Sequence, residues 1–179
     1  MISATIRLHQ VKYFDKTGIP PVDRGMLMFY NMGQLDKIQK ENSIFNEVDA
    51  ARYLVNFDKY PLHLDVALPV FSWAAVYRNS KLKFLISDFE PSLLGNANLS
   101  QINKKTYLVK KLIEMKTYTV RPGDVIKFEI MNPGSTRKAA ELIQPYIKDS
   151  VNVILFDYNN LNLKRYDQDD LEDIYHIFD

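Results

Sequence analysis

Two nearly unbroken apolar runs dominate the hydrophobic pattern: Gly25-Met26-Leu27-Met28-Phe29-Tyr30-Asn31-Met32-Gly33 and Leu64-Asp65-Val66-Ala67-Leu68-Pro69-Val70-Phe71-Ser72-Trp73. Both read as buried strands. The near-continuous second run fits a strand covered on both faces. Each meets polar or aromatic groups at its C-terminal end, where α/β barrels and open α/β sheets place their sites.

The flanking pattern supplies the other elements. Residues 3–12 alternate as a strand, with Ile6, Leu8 and Gln10 on one face and Arg7, His9 and Val11 on the other. Gly18-Ile19-Pro20-Pro21 interrupts regular structure. A second strand covers 25–32. Asn46 is an N-cap, Glu47 and Asp49 suit a first helical turn, and Ala50, Tyr53, Leu54 and Phe57 have helical spacing. A third strand is expected at 64–74. Asn79-Ser80 reads as a hairpin turn between 71–78 and 81–87. Residues 88–105 read as loop, and 106–120 fit either helix or strand. Pro122-Gly123 is a turn before a strand at 125–130. Ser135 is expected to cap a helix with the stripe Ala139, Leu142, Ile143 and Tyr146, weakened at Pro145. Residues 151–157 predict a short buried strand. Asp167 caps a terminal helix carrying Leu171, Ile174, Tyr175 and Phe178. Strands alternating with helices imply an α/β fold with a parallel sheet.

Composition narrows the chemistry. With 179 residues and 46% hydrophobic content, the chain can bury a core. Its net charge of +1, from 23 basic and 22 acidic residues, gives no broad field for nucleic acid or an anionic membrane. No apolar stretch reaches the length of a membrane span. The N-terminus lacks a signal-peptide pattern and enters strand-like sequence at once, which is expected of a piece of a larger protein; a secreted or cell-envelope parent is one reading, and the compartment stays open. Cys is absent, which excludes disulfides and thiolate chemistry. His9, His63 and His176 lack ligand spacing, so no metal is expected. Gly-x-Gly-x-x-Gly is missing, and no cofactor is expected.

Met28-Phe29-Tyr30-Asn31 is similar to the Met-x-Tyr-Asp signature on the sixth strand of chitinase-like family 18 glycoside hydrolases. Val66-Ala67-Leu68-Pro69-Val70-Phe71 resembles the Leu-x-x-Pro pattern of their seventh strand. The chain therefore resembles the C-terminal half of such a (β/α)8 barrel. The resemblance implies four parallel strands with helices, carrying a small β-rich insertion. Residues 1–78 and 132–179 would form the half-barrel, and 79–131 the insertion. Two departures stand out. Nothing matches Asp-x-x-Asp-x-Asp-x-Glu, the family's catalytic cluster, and the signature Asp is replaced by Asn31. The implied function is a carbohydrate-binding or glycoside-hydrolase-like barrel portion lacking its own catalytic acid. The alternative is a non-catalytic structural or assembly module whose exposed sheet edge pairs with another chain.

Alternate residues of a barrel strand face its lumen. On that basis Tyr30 and Asp157 are the candidate catalytic groups, as hydroxyl donor and general acid. His9, Asn31, Trp73 and Arg7 are candidate ligands of an oligosaccharide or polysaccharide, with His9 and Arg7 deeper in the site. Arg7 needs a carboxylate partner if buried, and Asp157 is the candidate. Glu129 is an alternative acid, expected to be solvated. Four parallel strands also leave two unpaired edges. A second copy, a missing half-barrel or the 79–131 segment are the candidates to cover them.

Overall fold

The protein is represented by a computed structural model that describes residues 1–36, 38, 41–87, 89, 97–115, 117–147, 150–157 and 159–179. The chain opens with strand β1 (Ser3–Arg7), short helices α1 (Leu8–Lys12) and α2 (Phe14–Thr17), β2 (Arg24–Met28), α3 (Glu47–Tyr53) and β3 (Leu64–Pro69). Then come β4 (Ser72–Arg78), β5 (Lys81–Ser87), β6 (Leu99–Asn103), β7 (Thr106–Val109), β8 (Ile113–Glu114), β9 (Thr119–Val120) and β10 (Val125–Ile130). Helix α4 (Pro133–Ile143), strand β11 (Val153–Phe156), α5 (Asn160–Leu163) and α6 (Gln168–His176) complete it.

Two units result. The first comprises Met1–Gly33, Ser43–Val70 and Met131–Asp179, and the second Gln34–Asn42 and Phe71–Ile130. The chain leaves the first unit at Val70, ahead of the expected 78/79 boundary, and residues 71–78 belong to the second.

The first unit holds a four-stranded sheet in the order β1-β2-β3-β11, with every neighbouring pair parallel. Four strands each followed by helix is the expected α/β half-barrel pattern. The register puts Ile6, Leu27, Val66 and Leu68 on one face, all between 0% and 1% exposed. The opposite face carries Thr5, Arg7, Met26, Met28, Ala67, Ile154 and Phe156. Strand β2 lies tightly between its neighbours: a Cβ on Gly25 would meet Leu64 Cδ2 at 2.6 Å and Ile6 Cγ1 at 2.7 Å. Helix α4 packs on β3, α3 and α6.

Local chemistry explains several element ends. Asn46 Oδ1 accepts the Asp49 N–H at 2.8 Å, capping α3 as expected. Asp167 Oδ1 does the same for Asp170 at 2.8 Å, capping α6. For α4 the cap is Asn132 rather than Ser135. Pro133 occupies the first turn, and Ser135 sits three residues in, returning a hydrogen bond to the Asn132 N–H at 2.9 Å.

Other expectations need correction. Strand β1 stops at Arg7, because Gln10 Oε1 accepts the Arg7 N–H at 2.9 Å and starts α1. Leu8 and Val11, three apart, then turn inward at 4% and 0% exposure. The third strand ends at Pro69, and residues 72–78 form β4 in a different sheet. Strand β11 is an edge strand rather than a buried one, with Ile154 and Phe156 45% and 43% exposed.

The second unit is antiparallel, in the order β5-β4-β10-β7-β6, with β8-β9 as a small hairpin. The expected β4–β5 hairpin turns on Asn79 and Ser80, whose φ angles of 51° and 61° are both left-handed, as a type I′ turn requires. The ambiguous 106–120 stretch forms strands β7, β8 and β9. Of the expected 88–105 loop, residues 99–103 form β6, while 88 and 90–96 lie outside the described residues. The core here gathers Ala74, Val76, Ile86, Phe89, Val109, Val120, Ile126 and Phe128.

Candidate functional site

An open cleft of about 190 Å³ lies at the ends of β1 and β2. It is lined by Arg7, Leu8, His9, Met28, Tyr30, Asn31 and Tyr53. Four of the expected site residues therefore share one cleft. Arg7 and His9 are exposed at its rim rather than deep, because the early start of α1 carries His9 off the strand. Beyond β2, Asn31 adopts a left-handed backbone with φ 57°, and its N–H donates to Ile44 O at 2.7 Å. Asn tolerates that conformation better than most residues. The turn reading and the binding reading of Asn31 thus coexist, since its exposed side chain lines the cleft.

Tyr30 is 6% exposed, and its ring stacks on Phe156 with centroids 5.1 Å apart and planes 4° from parallel. Burial and the nearby Asp157 charge push its pKa up to about 12. The hydroxyl therefore stays protonated at neutral pH, suited to donating a hydrogen bond and unsuited to acting as a base. Asp157 follows Phe156 and is half-buried. It is not among the cleft's lining residues, and no ion pair joins it to Arg7.

A side-chain relay fixes Asp157 instead. Asn162, 1% exposed, donates Nδ2–H to Asp157 Oδ1 at 2.9 Å, and its Oδ1 accepts from Arg165 Nη2 at 2.9 Å. Arg165 also donates to the carbonyls of Val70 at 2.9 Å and Met131 at 3.2 Å. It thereby ties together the two chain ends on either side of the 71–130 segment. Burial pulls the Arg165 pKa below its ordinary value, yet a guanidinium stays charged at any working pH. Nearby, Thr136 Oγ1 donates to Pro69 O at 2.8 Å, so at 2.7 Å Tyr166 must donate to Thr136.

The opposite end of the sheet is locked by ion pairing. Arg24 Nε donates to Asp65 Oδ2 at 3.1 Å, and Asn152 donates twice to Asp65 Oδ1, at 2.8 and 3.0 Å. Burial opposes ionisation of Asp65, but Arg24 and Asn152 outweigh it and hold the carboxyl below its usual range. Arg24 Nη2 lies 2.7 Å from His63 Nε2, which must accept, leaving the ring proton on Nδ1. A second cleft of about 200 Å³ lies at this end, among Phe57, Tyr60, His63 and Tyr146.

Trp73 falls in the second unit, because the strand expected to hold it had already ended. Its Nε1–H donates to Glu129 Oε2 at 2.8 Å. Glu129 is buried rather than solvated, at 1% exposure, and pairs with Lys127 Nζ at 2.6 Å. Lys127 Nζ also donates to Glu41 O at 2.7 Å. Register explains the cluster: Glu129 and Lys127 lie on one face of β10, opposite Trp73 and Ala75 of β4.

Sequence reasoning overlooked Tyr53 as a lining residue and the Asn162–Arg165 relay. The three-residue spacing of the latter pair was a usable helical signal. Among the described residues no group of three His, Cys, Asp or Glu side chains forms a metal site, and no helix is long and apolar enough to cross a membrane.

No protein-family model matches the chain, and no curated protein matches it. Solved structures do. A chitinase from Chromobacterium violaceum superposes with TM-score 0.53 at 8% identity, over 98% of this chain and 54% of that one. A group IV chitinase from Ostrinia furnacalis gives TM-score 0.47 at 12% identity, over 98% and 56%. The spore cortex-lytic enzyme SleL of Bacillus cereus gives 0.48 at 8%, over 99% and 40%. The chain spans about half the length of the first two structures and less of the third. Its fold is that of part of a chitinase-like TIM barrel: a parallel half-barrel carrying an antiparallel β insertion.

Proposed function

We propose that this chain is a carbohydrate-binding portion of a glycoside-hydrolase-like barrel, without a catalytic acid of its own. The supporting observation is the cleft at the strand ends, which gathers Arg7, His9, Tyr30, Asn31 and Tyr53. An oligosaccharide or polysaccharide presents hydroxyl groups and apolar C–H faces. The Asn31 amide offers a donor and an acceptor to one hydroxyl, and the Arg7 guanidinium adds donors. His9 donates or accepts according to its tautomer. The protonated Tyr30 hydroxyl donates, and the Tyr53 ring provides a face for sugar C–H groups.

Hydrolysis needs a proton donor at the leaving oxygen. Among the described residues no carboxylate lines the cleft, and Asp157 is committed to Asn162. Catalysis would require an acid supplied from outside these residues.

Calorimetric titration with a soluble chitin oligosaccharide tests the proposal. Saturable binding without hydrolysis, weakened about tenfold by Asn31→Ala (about 1.4 kcal/mol), is expected. Absence of binding at millimolar sugar overturns it. A second reading, an assembly module whose open sheet edge pairs with a second copy or a missing half-barrel, is supported by the exposure of Ile154 and Phe156 on edge strand β11.

A further inference from the structure

We infer that the strand-end cleft selects a sugar bearing a carboxylate, and that Arg7 makes the selection. The inference rests on the carbohydrate reading above and names the class of sugar. Its basis is the charge of the lining. Arg7 and His9 bring basic groups, Tyr30, Asn31 and Tyr53 are neutral and polar, and Leu8 and Met28 are apolar. Among the described residues no carboxylate lines the cleft to offset the two bases. A carboxylate on the ligand supplies the missing charge. It also matches the guanidinium fork with two parallel N–H···O bonds, which a single sugar hydroxyl cannot reproduce.

The backbone fixes where that charge stands. Arg7 ends β1 and lies in register with Met28, the last residue of β2, so both belong to one face of the sheet. The Arg7 side chain is exposed, and among the described residues no ion pair engages it. Acids on neighbouring elements are already occupied. In α3, which supplies Tyr53, Asp49 pairs with Arg52 at 3.0 Å and Glu47 with Lys138 at 3.1 Å. Asp157, whose charge reaches Tyr30, accepts from Asn162, which in turn accepts from Arg165. A third base borders the cleft: Lys12 Nζ lies over the Tyr53 ring, 5.6 Å from its centroid. Three basic side chains thus gather here in a chain whose net charge is only +1.

Calorimetric titration at low ionic strength tests this with matched sugars. One pair is a tetrasaccharide alternating glucuronic acid with N-acetylglucosamine, and its carboxyl-reduced neutral form. The other is chitobiose carrying a lactyl ether, and chitobiose itself. The first pair offers a carboxylate on the ring and the second one on a side arm. In at least one pair the acid should bind about tenfold more tightly. Arg7→Gln should remove that preference while changing affinity for the neutral sugar by no more than about twofold. Arg7→Lys, which keeps the charge without the fork, should restore only part of it. Circular dichroism should be unchanged in both variants, because the side chain is exposed. Lys104→Gln/Lys105→Gln, at an exposed basic pair between β6 and β7, should leave the preference intact. Equal affinity within both pairs, or a preference that survives Arg7→Gln or falls with the Lys104/Lys105 variant, overturns the inference and leaves the carbohydrate reading standing. Failure of every sugar to bind overturns that reading, and the inference with it.

Discussion

At the C-terminal end of the parallel sheet, Arg7, His9 and Asn31 stand exposed around a cleft. In the antiparallel unit, Lys127 and Glu129 have side chains only 4% and 1% exposed, and their polar atoms meet each other, Trp73 and a backbone carbonyl. Both regions collect a cation, polar groups and aromatic rings. The first leaves Arg7, His9 and Asn31 exposed, where the proposed ligand would meet them. The second spends the same chemistry holding two strands and the Glu41 segment in register. Residue type alone therefore does not locate a site; burial together with internal satisfaction separates a binding surface from a structural one.

The contrast is broken most forcefully in the antiparallel unit. Lys127→Met leaves the Glu129 carboxylate buried without its cation, and urea unfolding should show a loss of about 3–5 kcal/mol. The double variant Lys127→Met/Glu129→Gln removes both charges while keeping an acceptor for Trp73, and should recover most of that loss. Neither change should alter sugar affinity at the strand-end cleft by more than about twofold.

The Arg24–Asp65 pair is the parallel sheet's closest counterpart, but Arg24 is 27% exposed. Asp65→Ala should therefore cost less, about 2 kcal/mol. The pH dependence follows from the shift direction. Asp65 and Asp124 are both held below the usual carboxylate range, by Arg24 with Asn152 and by Arg78 with the Arg121 N–H, against the opposing effect of burial. The stability they contribute is present above the unfolded value, about 4, and is lost as pH falls through the lower folded values. Asp65→Ala should flatten that acid limb in denaturant titrations.

A mirror-image effect belongs to the tyrosines. Tyr30, Tyr77 and Tyr166 are all pushed up to about 12, in each case chiefly by burial. Unfolded tyrosine ionises near 10, so their contribution is complete below about pH 10 and is lost as pH rises towards 12. Absorbance at the tyrosinate band should show these three ionising only as the fold opens, with Tyr60 delayed by burial as well. Ionisation of all 11 in a single step near pH 10 with the fold intact would contradict it.

The smallest effect isolates function from fold. Asn31→Gly keeps a residue suited to φ 57° and deletes the amide. Stability should move by no more than about 0.5 kcal/mol, while oligosaccharide affinity should fall severalfold.

Much of the parallel half was legible because its signals are local. Apolar runs marked β2 and β3, and Asn46 and Asp167 announced their helices through capping chemistry. Two misreadings have a common origin. Around Leu8, alternation and helical spacing overlap, and the Gln10–Arg7 hydrogen bond decides between them. Along 64–78, residues are buried in one sheet and then in another, so hydrophobicity stays continuous across the break after Pro69. A pattern that records burial does not record which sheet does the burying. Trp73 was carried to the wrong strand for that reason. Glu129 looked solvated because charged residues usually are; its same-face spacing from Lys127 was the overlooked sign of a buried pair. The cleft was legible in Arg7, His9, Tyr30 and Asn31, since strand-end position follows from topology. Tyr53 was not, because its place depends on how α3 packs.

The most direct test of the strand-end site is a nitrogen–proton NMR titration of the 179-residue chain with a chitin oligosaccharide. The account predicts concentration-dependent shifts concentrated at Arg7, His9, Asn31 and Tyr53, with the amides of Lys127 and Glu129 unmoved. Shifts centred on the Lys127–Glu129 cluster, or none at saturating sugar, would contradict it.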